Sequence, residues 1–524
     1  MFKDTAIYSI GSLLPKMAGL VLAPIYTIYM APSDYGLYSL AALLSSAVGV
    51  VMLLGQDGSI TLLFREGAEE VSDPRELLFS VTLFTTVVST AVLGLLLLLG
   101  PTFTPWLSKD PSFTFRPYVV IALITAWTTV PLSLQRAVNR ARGQAGIHTG
   151  FQIAQFVVNT AFTLIFVVAL KQGAYGSLKG TFLGGALLVP FAIALLVREW
   201  KPTLSMDALK RSLKFGLPLV PHYFLGGFLL TFADRLMLAR FSTMAAVGLY
   251  GYAYNLSMSL NLVSQSINRA WGPIYYDLAG HEEGRRQLPR LTSVYAAVVC
   301  LAALGFTMFM PDLLVLISNK RYWPAASIMP IIVGGYFFFA MYMVTSTPIF
   351  FARKTLWIPL LSGAAALFNI GINFWLIPAF GMTGAAWATF FAYLGMAAGA
   401  RWLSGKVGGL FDDRRLATVV GIYLIGFVAT LGIQSLTQPG ASGRAGVIYD
   451  IGLKLATFTV LGGLFLLLRV VTPHELQVVL RKLRRKDGLR RPIMDEDAAA
   501  LKAIETTTIS ATSDATGFNP DDER

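Results

Sequence analysis

The sequence predicts an all-α integral membrane protein of about fourteen transmembrane helices, because its apolar runs have the length that spans a bilayer. Three observations carry that prediction. Charged residues make up only 14% of the chain and hydrophobic residues 55%, whereas an average soluble protein is about 25% charged. The apolar residues gather in runs such as 79–99, 153–170, 181–197 and 419–436, close to the roughly 17–25 residues that cross a hydrocarbon core. Lys and Arg fall mainly in alternate loops, which sets orientation.

In order, spans are expected near residues 6–29, 35–63, 77–99, 118–135, 148–169, 180–197 and 215–238, then 247–267, 291–310, 325–346, 358–379, 384–403, 416–436 and 455–471. The first run follows only Met1-Phe2-Lys3-Asp4 and is too long for a signal-peptide core, so it reads as an uncleaved span. Arg136, Arg140, Arg142, Lys210, Arg211, Lys214, Arg285, Arg286 and Arg290 belong to the richly basic set of loops. The sparser set holds Lys109, Lys171, Lys320 and Lys454, among others. The basic set is expected to be cytoplasmic, and an even span count puts both termini there, in the inner membrane. Leu476, Val479, Leu480 and Leu483 share a helical face amid basic residues. That helix either lies on the inner leaflet or is an ordinary basic stop, and 493–524 read as disordered.

Net charge is +13, but its basic residues sit between apolar runs, so nucleic acid is not an expected partner. The single Cys300 and four unclustered histidines give no disulfide framework and no metal site. No catalytic residues are expected.

Self-comparison shows an internal repeat. Tyr35-Gly36-Leu37-Tyr38 is echoed by Val247-Gly248-Leu249-Tyr250, Tyr175-Gly176 by Phe380-Gly381, and Gly11 to Lys16 by Gly216 to His222. Nearly one offset serves all three, which implies two parallel six-helix repeats facing a central cavity, able to rock in alternating access. The expected divisions are 1–200, 201–405, two additional helices over 406–472, and a basic helix with a disordered tail over 473–524.

At this point the chain resembles the polysaccharide/O-antigen flippases (Wzx-like) of the multidrug/oligosaccharidyl-lipid/polysaccharide exporter superfamily. The resemblance rests on Ser9-Ile10-Gly11-Ser12 through Gly36-Leu37-Tyr38, on Phe215-Gly216-Leu217-Pro218-Leu219-Val220-Pro221 followed by Asp234-Arg235 and Val247-Gly248-Leu249-Tyr250, and on Asn369, Asn373, Ile377-Pro378 and Gly381 to Ala386. Arg136 and Arg140 at the end of the fourth span also fit. The resemblance implies export of a lipid-linked oligosaccharide, undecaprenyl-pyrophosphate-linked, for surface polysaccharide synthesis. It also implies membrane lipids, a glycan polymerase and glycosyltransferases as partners.

Several residues are candidates for that work. Lys16 lies mid-span, where an ammonium is costly unless it meets a cavity or a partner. His222 matches it in the second repeat, so both could hold a pyrophosphate head group; snorkelling and packing are the alternatives. Asp234 and Arg235 are adjacent and so cannot share a helix face; they fit either cavity or gating charges or interfacial anchors. Asp57, with Gln56, is a candidate site for Na⁺ or proton coupling, the one cofactor-like requirement foreseen. Arg136, Arg140 and Arg269 stand at cytoplasmic span ends, where they would meet an entering pyrophosphate or simply set topology. Pro15, Pro24, Pro218 and Pro221 should kink spans one and seven. Asn369 and Asn373, one turn apart, suit interhelical hydrogen bonding. Tyr250, Tyr252 and Tyr254 fit either a sugar path or an interfacial belt. A multidrug exporter of the same superfamily and a membrane glycosyltransferase or polymerase are the rival functions, the latter disfavoured by short outer loops without paired carboxylates.

Overall fold

The computed structural model describes residues 22–66, 73–223, 229–437, 439–468 and 470. Lys16, Pro15 and the basic C-terminal tail lie outside them. The described chain is helical, with no strand. Ten helices among the described residues are long and apolar enough to cross a membrane. One of them is Trp357–Lys406, which Gly381 divides with φ 56° and ψ −131°, a conformation that glycine reaches without steric cost. Its two arms are the eleventh and twelfth expected spans.

The helices are α1 (Pro32–Leu53), α2 (Gln56–Glu66), α3 (Pro74–Leu107), α4 (Val120–Ala141), α5 (Ala145–Leu164) and α6 (Gly173–Val197). There follow α7 (Met206–Gly216), α8 (Leu219–Tyr223), α9 (Leu229–Phe241), α10 (Met244–Ala279), α11 (Glu282–Ile317) and α12 (Met329–Phe351). The last are α13 (Trp357–Lys406), α14 (Asp413–Thr437) and α15 (Pro439–Leu467). The expected second span is two helices, because Leu54 and Gly55 both take positive φ between α1 and α2. Pro218 falls at the break between α7 and α8, where its missing N–H costs no helical bond.

Segment 201–216 stays with the first group of helices. Gln56 is fully buried and accepts from the Ser212 hydroxyl at 2.5 Å, and Ser59 and Ser212 hydroxyls lie 2.6 Å apart. Ser205 N–H donates to Ser80 Oγ at 2.9 Å. Lys201 reaches Glu76 at 2.8 Å and Asp73 at 3.3 Å. This exposed Lys201 is raised above its ordinary pKa, mainly by Glu76. Ser212→Ala leaves the buried Gln56 short of a donor, and should lower stability by about 1–3 kcal/mol, measurable as a lower melting temperature in detergent.

The first group meets the second at the end predicted to face outward. Gly36 and Gly248, the paired positions of the internal echo, pack directly on each other. A Cβ on Gly36 would stand 2.1 Å from Met244 O, and one on Gly248 would stand 1.8 Å from Pro32 O. Around this crossing Tyr322 donates to the carbonyls of Met30 and Ala31 at 3.2 and 3.1 Å. Asn255 Nδ2 donates to Tyr35 OH at 2.8 Å. Beside them, Ser108 Oγ and Lys109 N donate to Ala239 O, and Arg240 donates to Pro105 O. Asp110 accepts from Met244 N–H, and the Ser112 hydroxyl and N–H hold its carboxyl below the usual range. The predicted outward end is closed.

The structure corrects one sequence assignment. Lys454 is not in an outward loop: it is a fully buried residue of α15, held by Asp312 of α11 and by Asp450. The loop reading failed because the lysine sits just before the apolar run 455–471, and its charge made the expected span start after it, whereas the helix already includes Asp450.

Candidate functional site

α9 packs against α13 on one side and approaches α1 and α10 on the other. Consecutive residues are about 100° apart on a helix, so Asp234 and Arg235 face different neighbours. Both are buried, Asp234 completely and Arg235 at 5% exposure, which removes the interfacial-anchor alternative.

Asp234 sits in a ring of neutral donors. One carboxylate oxygen accepts from Tyr250 OH at 2.6 Å and Thr389 Oγ1 at 2.5 Å; the other accepts from Asn373 Nδ2 at 2.7 Å. Asn373 Nδ2 also reaches Asn369 Oδ1 at 3.1 Å, so the two asparagines make the expected interhelical bond and an intrahelical one. Among the described residues no Lys or Arg pairs with Asp234. Asn373 Oδ1 is buried without a hydrogen-bond partner. Carboxylate, hydroxyl and amide groups thus meet in one buried polar cluster, and oxygen groups of these kinds are the ligands that hard cations select. A fully buried carboxylate served by neutral donors calls for a proton or a cation beside it, since an unpaired buried charge is costly.

Arg235 lies over the Tyr254 ring, its guanidinium carbon 5.2 Å from the centroid. Tyr254 packs on Tyr250 at 5.8 Å and on Tyr336 at 5.5 Å. Among the described residues no carboxylate forms an ion pair with Arg235, and its Nε has no hydrogen-bond partner. Ser39 Oγ on α1 is likewise buried and unpartnered. Tyr250, Tyr252 and Tyr254 are all buried, so they form no interfacial belt.

The other candidates are elsewhere. Asp57, Arg136 and Arg140 gather where α2 meets α4: Arg136 donates to Gln155 Oε1 and Ser133 Oγ, both at 2.7 Å, with Asp57 close by, and Arg140 reaches Thr61 at 3.5 Å. Arg269 is exposed on α10 and reaches Ser266 at 3.4 Å. The side chain of His222, whose backbone falls in α8, lies outside the described residues, like Lys16. Thr389, Tyr250 as a donor to Asp234, and Ser39 were not foreseen. A threonine in an apolar run carries no sequence signal of which carboxylate it will meet.

Comparison with known proteins agrees with this architecture. The family model described as polysaccharide biosynthesis protein matches residues 1–278. A protein of the Lsg locus of Haemophilus influenzae is 24% identical over 359 residues, covering 66% of this chain and 81% of its own. Among solved structures, the lipid II flippase MurJ in an inward closed conformation superposes with a TM-score of 0.69 at 13% identity, over 88% of this chain and 98% of that one. An inward-facing multidrug resistance transporter of the MATE family superposes at 0.57, also 13% identical, over 79% and 99%. These likenesses carry the fold. With over half its length matched, the chain belongs to the polysaccharide biosynthesis protein family, and it is a multi-pass membrane protein that shares its fold with the MurJ and MATE structures.

Proposed function

We propose that this protein flips an undecaprenyl-pyrophosphate-linked oligosaccharide from the cytoplasmic to the outer leaflet of the inner membrane, supplying surface polysaccharide synthesis. Two six-helix halves, the first carrying segment 201–216 with it, rock about the Gly36–Gly248 crossing, with 406–472 attached to the second. Arg235, with Lys16 and His222, takes the anionic head group, and Arg136, Arg140 and Arg269 meet it on entry. The substrate comes from and passes to glycosyltransferases and a polymerase of the same pathway.

The observation that carries the reading is the buried Asp234–Arg235 pair: a cation locus and an anion locus on consecutive residues of one helix. Na⁺ or a proton at Asp234 supplies the drive. Asp57 is the weaker coupling candidate, because it is half-exposed and stands beside Arg136, which already balances its charge. The family match and the closed outward end support alternating access.

The test is flipping of a fluorescent undecaprenyl-pyrophosphate sugar in proteoliposomes under sodium and pH gradients. Asp234→Asn removes a charge that three donors serve; hydrogen bonds to charged groups are worth about 1.5–3 kcal/mol each, so the rate should fall at least roughly tenfold. Unchanged flipping by this variant defeats the coupling assignment. Efflux of cationic drugs without glycan flipping would favour the multidrug-exporter reading, which the same fold also accommodates.

A further inference from the structure

At the Gly36–Gly248 crossing, the closed outward end brings backbone against backbone. Beside it the two halves complete each other's helix ends, and there the contacts carry charge. A helix leaves its first four N–H groups and its last four carbonyls without partners of its own. Among the described residues, three such ends meet around the corner between α9 and α10, and each is served from the opposite half. Ala239 O, in the last turn of α9, accepts from Ser108 Oγ at 3.2 Å and from Lys109 N–H at 3.3 Å. Met244 N–H, at the first residue of α10, donates to Asp110 Oδ2 at 3.4 Å. In return, Arg240 of α9 donates to Pro105 O, in the last turn of α3, at 3.1 Å.

The signs of the charges match the helix dipoles. Asp110 stands at a helix N-terminus and Arg240 at a helix C-terminus, the placements that the dipole favours. The cap that α10 supplies for itself, Thr243 Oγ1, is used on Ala246 N–H, so Met244 N–H turns to the other half. The loop that carries Asp110 is closed by bonds of its own. Ser112 N–H and Oγ donate to Asp110 Oδ1 at 2.9 and 2.5 Å, and Asp110 N–H donates to Ser108 Oγ at 3.0 Å. It can therefore leave the corner without unfolding. Asp110 and Arg240 are both only partly buried, so water can replace them on the helix ends they serve.

We infer that Ser108, Lys109, Asp110 and Arg240 form a latch of exchanged helix caps, which holds the outward end closed by charge and releases it without loss of fold. This inference rests on the alternating-access part of the proposed function and not on its substrate.

The experiment uses the full-length protein in nanodiscs, with spin labels at Leu170 in the first half and Lys320 in the second, both exposed. Asp110→Asn keeps an oxygen for the Ser112 bonds while its amide nitrogen turns a donor toward Met244 N–H. In low salt it should raise the long-distance population about two- to fivefold, the worth of one charge at an exposed helix end. Arg240→Gln should do the same. In salt of about 1 M, where charges are screened beyond about 3 Å, the wild type should move toward the variants. The double variant, with both charges gone, should ignore salt. Melting temperatures should stay at the wild-type value throughout. Wild-type distances in both single variants overturn the latch, whether or not their melting temperatures fall. A salt response that survives in the double variant assigns the closure to other charges and overturns it too. A population shift accompanied by a lower melting temperature means loosened packing, and is equally fatal. If the distances behave as expected but the wild type flips no glycan in proteoliposomes, the latch stands and the substrate reading fails.

Discussion

Lys454→Ala will destabilise the protein by about 3–5 kcal/mol, the usual cost of removing one member of a buried ion cluster. Its ammonium donates to both oxygens of Asp312 at 2.9 Å and to Asp450 at 2.6 Å, with Lys454 and Asp450 wholly buried. Without it, the carboxylates of Asp312 and Asp450 face each other with their shared cation gone. The loss will be local. α14 and α15 pack on α11, assisted by the Thr307–Tyr423 hydrogen bond at 2.9 Å and by Phe337 stacked on Tyr423 at 3.8 Å. Among the described residues the triad is a polar tie that holds α15 to this group. Removing it should free α15 first, so that limited proteolysis of the C-terminal region accelerates and the melting temperature in detergent falls. A double replacement, Lys454→Met with Asp312→Leu, should recover part of the loss, because well-packed apolar residues often match a buried ion pair. If Lys454→Ala melts with the wild type, the cluster is not holding the C-terminal helices.

Much of the bundle was legible in the sequence because membrane constraints act locally. Hydrocarbon thickness limits run length, and the Gly381 break between the two arms of α13 was announced by the Phe380-Gly381 junction. The echo around Gly36 and Gly248 also pointed to two special positions. It did not reveal that they touch, because an internal repeat states equivalence rather than proximity. The same limit applies at the candidate site. Asn369 and Asn373 were readable as a polar helix face from their spacing, and Asp234 only as either a cavity or gating charge or an interfacial anchor. Their convergence with Thr389 and Tyr250 depends on how α9, α10 and α13 rotate against one another, which no local pattern encodes. Lys454 was misread for a related reason. A lysine at the edge of an apolar run looks like a loop residue until its acidic partner on α11, far away in sequence, is seen beside it.

Gly248→Ala should open the end that is closed here. The added methyl would fall 1.8 Å from Pro32 O and 2.9 Å from Gly36 N, both backbone atoms that cannot rotate away. α1 and α10 have to separate, and overpacking of this kind costs about 1–3 kcal/mol. That cost applies only to the state in which the two helices touch. A transporter that alternates between states will escape it by leaving the closed arrangement, so the population should shift roughly tenfold for each 1.4 kcal/mol. The bonds beside the crossing, Asn255 to Tyr35 and Tyr322 to Met30 and Ala31, should break together with it. Spin labels at the exposed Ser112 and Lys320 would report a longer, broader distance distribution in the variant. Gly36→Ala should give the same shift, since its methyl would meet Met244 O at 2.1 Å. The double variant should fall short of the sum, because both residues disrupt one contact. Gly395→Ala, where a Cβ meets nothing within 4 Å, is the matched control and should leave the distances unchanged. Wild-type distances in both Gly36→Ala and Gly248→Ala would mean that the crossing is not the contact around which the protein opens.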